Sequence, residues 1–376
     1  MKTRPLWITA ALLVSLLLVV LVVQSRWGTG RPNQGSSVPS EAPVLPSSLD
    51  LRQIRQVEIS TGLETTTLRL REDGRWGVVQ LGLFLANQRQ LNQLLLDLHQ
   101  LKHQHLVSRE EALRSRYAVL GAAQHGRAEA GVTGNQLTLK NDSGEVLFDM
   151  VLGKNREQGG QYIWSHLGGI YLVADSVIMP PNPLLWIQNR LLPDLNVNTA
   201  ARWMEVQVPG RAPLRVWRSQ MDGPWSMEGR TEPPHKEEAL QLAFDLSQLE
   251  VAGVAPAGAD TDVLGMEDVV EAWLELDNGV VYHWRVGAVP GRINPLGMPN
   301  PGATPTEETP KVHYMTVVAQ PAGGWPQAGD PPLALEIDQT IQSFNSAFGE
   351  QIIAIHDWDF ARITVPGDAF YGEHNH

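Results

Sequence analysis

His99 and His103 stand four positions apart in a stretch with helical periodicity, and His105 follows two residues on. An i, i+4 spacing puts two imidazoles on one face of a helix, where they could present nitrogens to a metal ion. No carboxylate at helical spacing completes such a set. At an offset of 148 residues, where a related stretch recurs, Ser247 and Val251 take the two places. A solvated helix face accounts for the pair without a metal. A second grouping, "HDWD" at His356 to Asp359, offers a base and two carboxylates. Adjacency in sequence is not the geometry of a base beside its partner, and turn chemistry ahead of a last strand is the plainer reading.

Other chemistry is excluded more directly. "VLGK", ending at Lys154, lacks the first glycine of a phosphate-binding loop, and no nucleophile elbow, H-E-x-x-H helix or calcium loop is present. With no cysteine in 376 residues, disulfides, thiolate metal sites, cysteine nucleophiles and a lipidated cysteine are ruled out. No residue is assigned a catalytic, cofactor-binding or metal-ligating role, and the chain is expected not to be an enzyme. A formal net charge of −12 lacks the Lys/Arg excess that neutralises phosphates, which argues against a nucleic-acid partner. Twelve tryptophans invite a sugar-binding reading, because indole faces stack on sugars. Trp76, Trp225, Trp273 and Trp284 fall in strand-like positions, where a packed core explains them equally well.

The chain that positions these residues starts with Lys2 and Arg4, then an uncharged run from Leu6 to Val23. As a helix these residues reach roughly 27 Å, enough to cross a hydrocarbon core. A cleavable signal is the rival reading, but no small-x-small site follows the run. Residues 1–24 are thus expected to be a cytoplasmic stub and a single-pass anchor in a bacterial inner membrane, with membrane contact through residues 6–23. Arg26 and Arg31 balance Lys2 and Arg4, and the very short leading segment favours the N-terminus inside and the remainder in the periplasm. Residues 25–50, rich in Gly, Pro and Ser, are expected to form a flexible tether.

Two passes follow with the same order of features. "DGRW" at Asp73 to Trp76 returns as "DGPW" at Asp222 to Trp225, each after β-branched or apolar runs that signal a hairpin. Asn87 with Gln90 suggests a capping box opening a helix with Leu91, Leu94, Leu95, Leu98 and Leu101 on one face. Its counterpart carries Ala239, Leu242, Ala243, Leu246 and Leu249. Leu120-Gly121 is echoed by Leu264-Gly265, "LTLKNDSGEVLFDMVLG" by "AWLELDNGVVYHWRVG", and Val57 and Ile59 by Val206 and Val208.

This ordered series predicts an α+β fold of two tandem duplicated repeats, residues 51–200 and 201–376. Each is a mostly antiparallel sheet of hairpins with a packed amphipathic helix, placed after the transmembrane helix. The second has a Pro-rich insertion at about 290–311, expected to lack regular structure and to be either a bare excursion or a partner contact. A closing strand is expected at about 360–366, pairing into the second sheet, as the first strand of the second repeat is expected to complete the first.

The anchor, the tether, "VEIS", "LRLREDGRWGV", the Leu-rich helix, "RYAVLGA", "GGQYIW" and "IYLVAD" together resemble the bacterial domain-of-unknown-function family 4340. The resemblance covers most of the chain after the tether, more loosely in the second copy. It implies an extracytoplasmic α+β protein, often encoded beside a gliding-motility-type ABC transporter and its auxiliary membrane protein, with no defined catalytic residues. The Pro-rich insertion and the widening by Ala118 and Val119 after Tyr117 depart from its pattern. Two functions stay open: an accessory or interaction subunit of an ABC-type transporter or envelope complex, and a periplasmic protein that binds glycan or another ligand in a groove between the repeats.

Overall fold

The computed structural model describes residues 42–364 except 63, 125–130, 193–194, 221, 235, 295–296, 300–309 and 324–330. The expected stub, anchor and most of the tether lie outside the described residues. Among the described residues no helix is long and apolar enough to cross a membrane.

The architecture is α+β, with two antiparallel sheets of nine strands each and few helices. The first sheet comprises β1 (Gln56–Thr61), β2 (Glu64–Leu70), β3 (Trp76–Val78), β4 (Phe84–Leu85), β5 (His103–Ser108), β6 (Asn135–Lys140), β7 (Val146–Asn155), β8 (Gln161–Ser165) and β9 (Gly169–Val173). The second comprises β10 (Ala201–Gln207), β11 (Leu214–Trp217), β12 (Ser226–Met227), β13 (Val251–Val254), β14 (Val269–Leu276), β15 (Val280–Gly287), β16 (Gly291–Arg292), β17 (Lys311–Pro321) and β18 (Ile353–His356).

Helix α1 (Gln88–Gln100) starts where the Asn87 side chain accepts from the Gln90 backbone N–H, and it buries Leu91, Leu94 and Leu98. Helix α2 (Lys236–Ser247) buries Ala239, Leu242, Ala243 and Leu246. Burial of each such leucine stabilises the fold by about 1.5–3 kcal/mol.

The strand orders coincide. The first sheet runs β4-β3-β2-β1-β6-β7-β8-β9-β5, and the second β12-β11-β10-β14-β15-β17-β18-β13 with β16 on β17. In both, the helix precedes the strand that ends the order. The registers coincide as well. Val57 lies opposite Leu68 and Leu139, as Met204 lies opposite Val216 and Leu274. Ile59 lies opposite Thr66 and Leu137, as Val206 lies opposite Leu214 and Ala272. The residues matching Val57 and Ile59 are therefore Met204 and Val206, two positions before the pair suggested by the sequence.

Two expectations about strands are corrected. Residues 357–364 form helix α4 (Asp357–Thr364), not a strand; Asp357 and Asp359 sit in its first turn, where the helix dipole favours acids. The strand that joins the second sheet is β18, just before it, between β17 and β13. Strand β10 pairs with β11 and β14 inside its own sheet and does not complete the first.

The second half differs from the first by two excursions. One carries β16, so the start of the Pro-rich insertion is held rather than irregular: Ile293 is buried and Gly297 accepts from the Val254 N–H at 2.9 Å. The other is helix α3 (Pro331–Phe348), between β17 and β18.

Helix α3 joins the halves. Phe348 packs on Phe84 at 5.6 Å between ring centroids, and Phe344 on Tyr282 at 4.8 Å. Arg75 of "DGRW" donates to Ser343 O at 3.0 Å and to Ser346 Oγ at 2.6 Å, and Arg71 donates to Ser346 O. Both guanidiniums pair with Asp73, and the carbonyls they meet are at the C-terminal end of the helix, where cations are favoured. Pro224 takes the place of Arg75 in the second half. The turns differ too: Gly74 has φ +79°, whereas Gly223 is outside the left-handed region. Behind them Trp76 is half-buried against the core and Trp225 is fully buried. One apolar core runs through both halves.

Candidate binding face

Each sheet turns one face to the shared core. Part of the opposite face is covered by loop residues: Val119 packs with Val151 and Ile170 in the first half, and Leu264 and Ile293 with Val312 and Tyr314 in the second. The remaining faces differ in chemistry.

In the first sheet this face is polar and satisfied within itself. Glu58 accepts from Lys140 and from Gln56, both at 2.6 Å. Asp149 accepts from Gln136 and Thr138, both at 2.7 Å, and Ser60 bonds Thr65 at 2.8 Å.

Register identifies the matching positions in the second sheet. Gln56 lies opposite Arg69 and Lys140, and Trp203 lies opposite Trp217 and Glu275. Glu58 lies opposite Thr138, which lies opposite Asp149; Glu205 lies opposite Trp273, which lies opposite His283. Trp203, Trp217 and Trp273 thus occupy the places of Gln56, Arg69 and Thr138. Trp217 is 37% exposed, while Trp203 and Trp273 are half-buried. Trp273 therefore does not belong to the core, in contrast to Trp225 and Trp284.

Ion pairs surround the indoles. Arg215 bonds Glu205 at 2.8 Å and Glu228 at 2.9 Å, Arg285 meets Glu271 at 3.3 Å, and Arg202 approaches Glu275 at 4.0 Å. The two carboxylates hold the Arg215 guanidinium above its usual range. His283 lies flat against Trp273, with centroids 4.6 Å apart and planes at 7°, and its burial pushes the imidazole below its ordinary value. The result is a surface of fixed donors, fixed acceptors and three indoles.

The residues singled out by spacing are dispersed. His103 is not in the helix with His99, because α1 ends at Gln100 and His103 opens β5. It is 1% exposed, with Nδ1 3.0 Å from Ala42 O and Nε2 2.8 Å from Ser165 Oγ. The carbonyl can only accept, so Nδ1 carries the hydrogen and Nε2 accepts from the Ser165 hydroxyl. A serine on an oriented histidine has the form of a nucleophile and its base, but Ser165 is also 1% exposed and no substrate can reach it. The pair instead pins the start of the described chain: the His103 N–H also donates to Ala42 O, and Val44 donates to Leu101 O. The expected tether is therefore bound to the first sheet from Ala42 onward.

In "HDWD", His356 stacks on Trp358 at 3.8 Å, Asp357 faces His313 at 3.1 Å, and the buried Asp359 meets Arg362 at 3.3 Å. Three directions are served, and no base faces a carboxylate within the turn. Lys154 lies 5.7 Å from the Tyr117 ring. Among the described residues no three His, Asp or Glu gather in a way that could hold a metal ion. An open groove of about 430 Å³ beside α1 is lined by Asn87, Arg89, Gln93, Asp97, Ile178 and Trp186.

Comparison with protein-family models, with curated proteins and with solved structures returned no match.

The His103 contact predicts a pH dependence. Burial holds His103 below its ordinary value, so the fold keeps it neutral while the unfolded chain takes up a proton near pH 6.5. Its contribution is complete above about pH 6.5 and is lost as pH falls through that value towards the depressed one, by at most about 1.4 kcal/mol per pH unit. Asp245 and Asp359, whose carboxyls burial pushes up, act in the opposite sense at lower pH. Urea midpoints at pH 7.5 and 5.5 should fall less in His103→Gln than in the parent; equal falls would assign the effect to other groups.

Proposed function

We propose that this chain is a non-enzymatic recognition module of the bacterial periplasm, tethered to the inner membrane through residues 6–23 with its N-terminus in the cytoplasm. The repeats arose by internal duplication, and helix α3 and the shared core fused them into one body. One observation carries the recognition reading: three positions filled by Gln56, Arg69 and Thr138 in one copy are Trp203, Trp217 and Trp273 in the other. The fold is satisfied by polar residues there, so the indoles answer to something outside it. No accessible set of nucleophile, base and orienting group has been found among the described residues. The resemblance to family 4340 supports service as an accessory subunit of an ABC-type transporter or envelope complex.

The test is crosslinking in cells, purification of the full-length protein in mild detergent and mass spectrometry of what accompanies it. Recovery of a transporter permease or its auxiliary subunit is expected. Recovery of the protein alone would count against the accessory role.

A further inference from the structure

We propose that the outer face of the second sheet is a binding platform for neutral glycans, with the sugar chain lying across β11, β10 and β14. The proposal rests on reading this face as a recognition surface and adds the chemistry of its ligand.

The indoles supply the apolar part. A pyranose ring presents C–H groups that are weakly positive, and an indole presents a face of negative electrostatic potential, so the two stack. Trp217 and Trp203 are directly opposite on adjacent strands, and Trp273 lies on the far side of β10, opposite a residue two positions along. With strands about 4.8 Å apart and about 3.4 Å per residue, Trp217 and Trp273 are separated by roughly 12 Å at the backbone. That span suits a short run of linked sugars better than a single ring.

The ion pairs supply the polar part. Glu205, Arg215, Glu228, Glu271 and Arg285 are held by one another, so their free lone pairs and N–H groups are aimed before a ligand arrives, which lowers the cost of ordering on binding. Charge then selects among glycans. Four acids, Glu205, Glu228, Glu271 and Glu275, face three cations, Arg202, Arg215 and Arg285, on a chain with net charge −12. Paired charges with a slight acidic excess repel a polyanion and complement an uncharged, hydroxyl-rich chain.

The experiment uses the full-length protein in mild detergent, titrated with cellohexaose, maltohexaose and chitohexaose and followed by calorimetry. At least one hexasaccharide is expected to bind. Trp217→Arg should weaken it tenfold or more, and the triple variant Trp203→Gln, Trp217→Arg, Trp273→Thr should abolish binding. These are the residues of the matching positions in the first sheet, so the fold has a precedent for them, and Trp217→Arg alone covers the case in which the triple variant does not fold. If no hexasaccharide binds, or if binding survives Trp217→Arg undiminished, the glycan proposal is overturned. A photo-crosslinking residue at position 217 in cells separates the two readings. A specific protein adduct without sugar binding leaves the recognition surface and removes its glycan ligand; neither adduct nor sugar removes both.

Discussion

Gly153→Ala is expected to lower the stability of the fold by about 3 kcal/mol, at the upper end for a small overpacking change. The reason is a close approach to backbone. A Cβ at Gly153 would lie 2.3 Å from Tyr117 O, 2.5 Å from Val119 Cγ1 and 3.1 Å from Ala118 O. A carbonyl of the covering loop cannot swing aside as a long side chain can. The matching residue behaves alike: a Cβ at Gly287 would lie 2.5 Å from Gly265 O. In each half the returning hairpin strand carries, at or near its end, a glycine pressed beneath the preceding loop. Gly323→Ala, with nothing within 4 Å, serves as the control and should be near neutral. Urea unfolding measures both variants, and an unchanged midpoint for Gly153→Ala would show that the loop is not seated as described.

Trp284→Ala should cost still more, about 3–5 kcal/mol, because the indole is fully buried in the common core and its loss leaves a cavity that rigid strands cannot close. Its indole N–H has no hydrogen-bond partner, so Trp284→Phe removes an unsatisfied donor along with some volume and should cost much less than alanine. Trp217→Ala, on the outer face, should shift stability by no more than about 0.5 kcal/mol. Urea denaturation separates the three, and a Trp217→Ala loss as large as that of Trp284→Ala would mean that Trp217 belongs to the core.

Local chemistry made much of the fold legible. Asn87 caps a helix with a leucine stripe, and "DSG" and "DNG" mark turns between alternating strands, because these signals act over a few residues. What stayed hidden depends on distant chain. The outward place of Trp273 is an exception: it shares the parity of Glu271 and Glu275 while Ala272, Leu274 and Leu276 share the other, an alternation that the apolar character of the indole obscures. Trp203 and Trp217 acquire meaning only from cross-strand register, which pairs them with each other and against Gln56 and Arg69 of the other half. His103 read as helical because no breaker separates it from His99; pairing with Ala42, 61 residues earlier, draws it into a strand. "FARIT" has β-branched residues, but the acids ahead of it and the burial of Ile363 favour a helix.

The clasp of Arg71 and Arg75 on helix α3 has a consequence for biosynthesis. It closes between residues 268 to 275 positions apart, so the first-made half meets this contact only after Ser346 has left the ribosome. Until then Phe84 lacks the ring of Phe348. A chain released after the first sheet alone would expose apolar surface and attract chaperones or proteases, whereas the chain with this clasp closed should unfold as one cooperative unit.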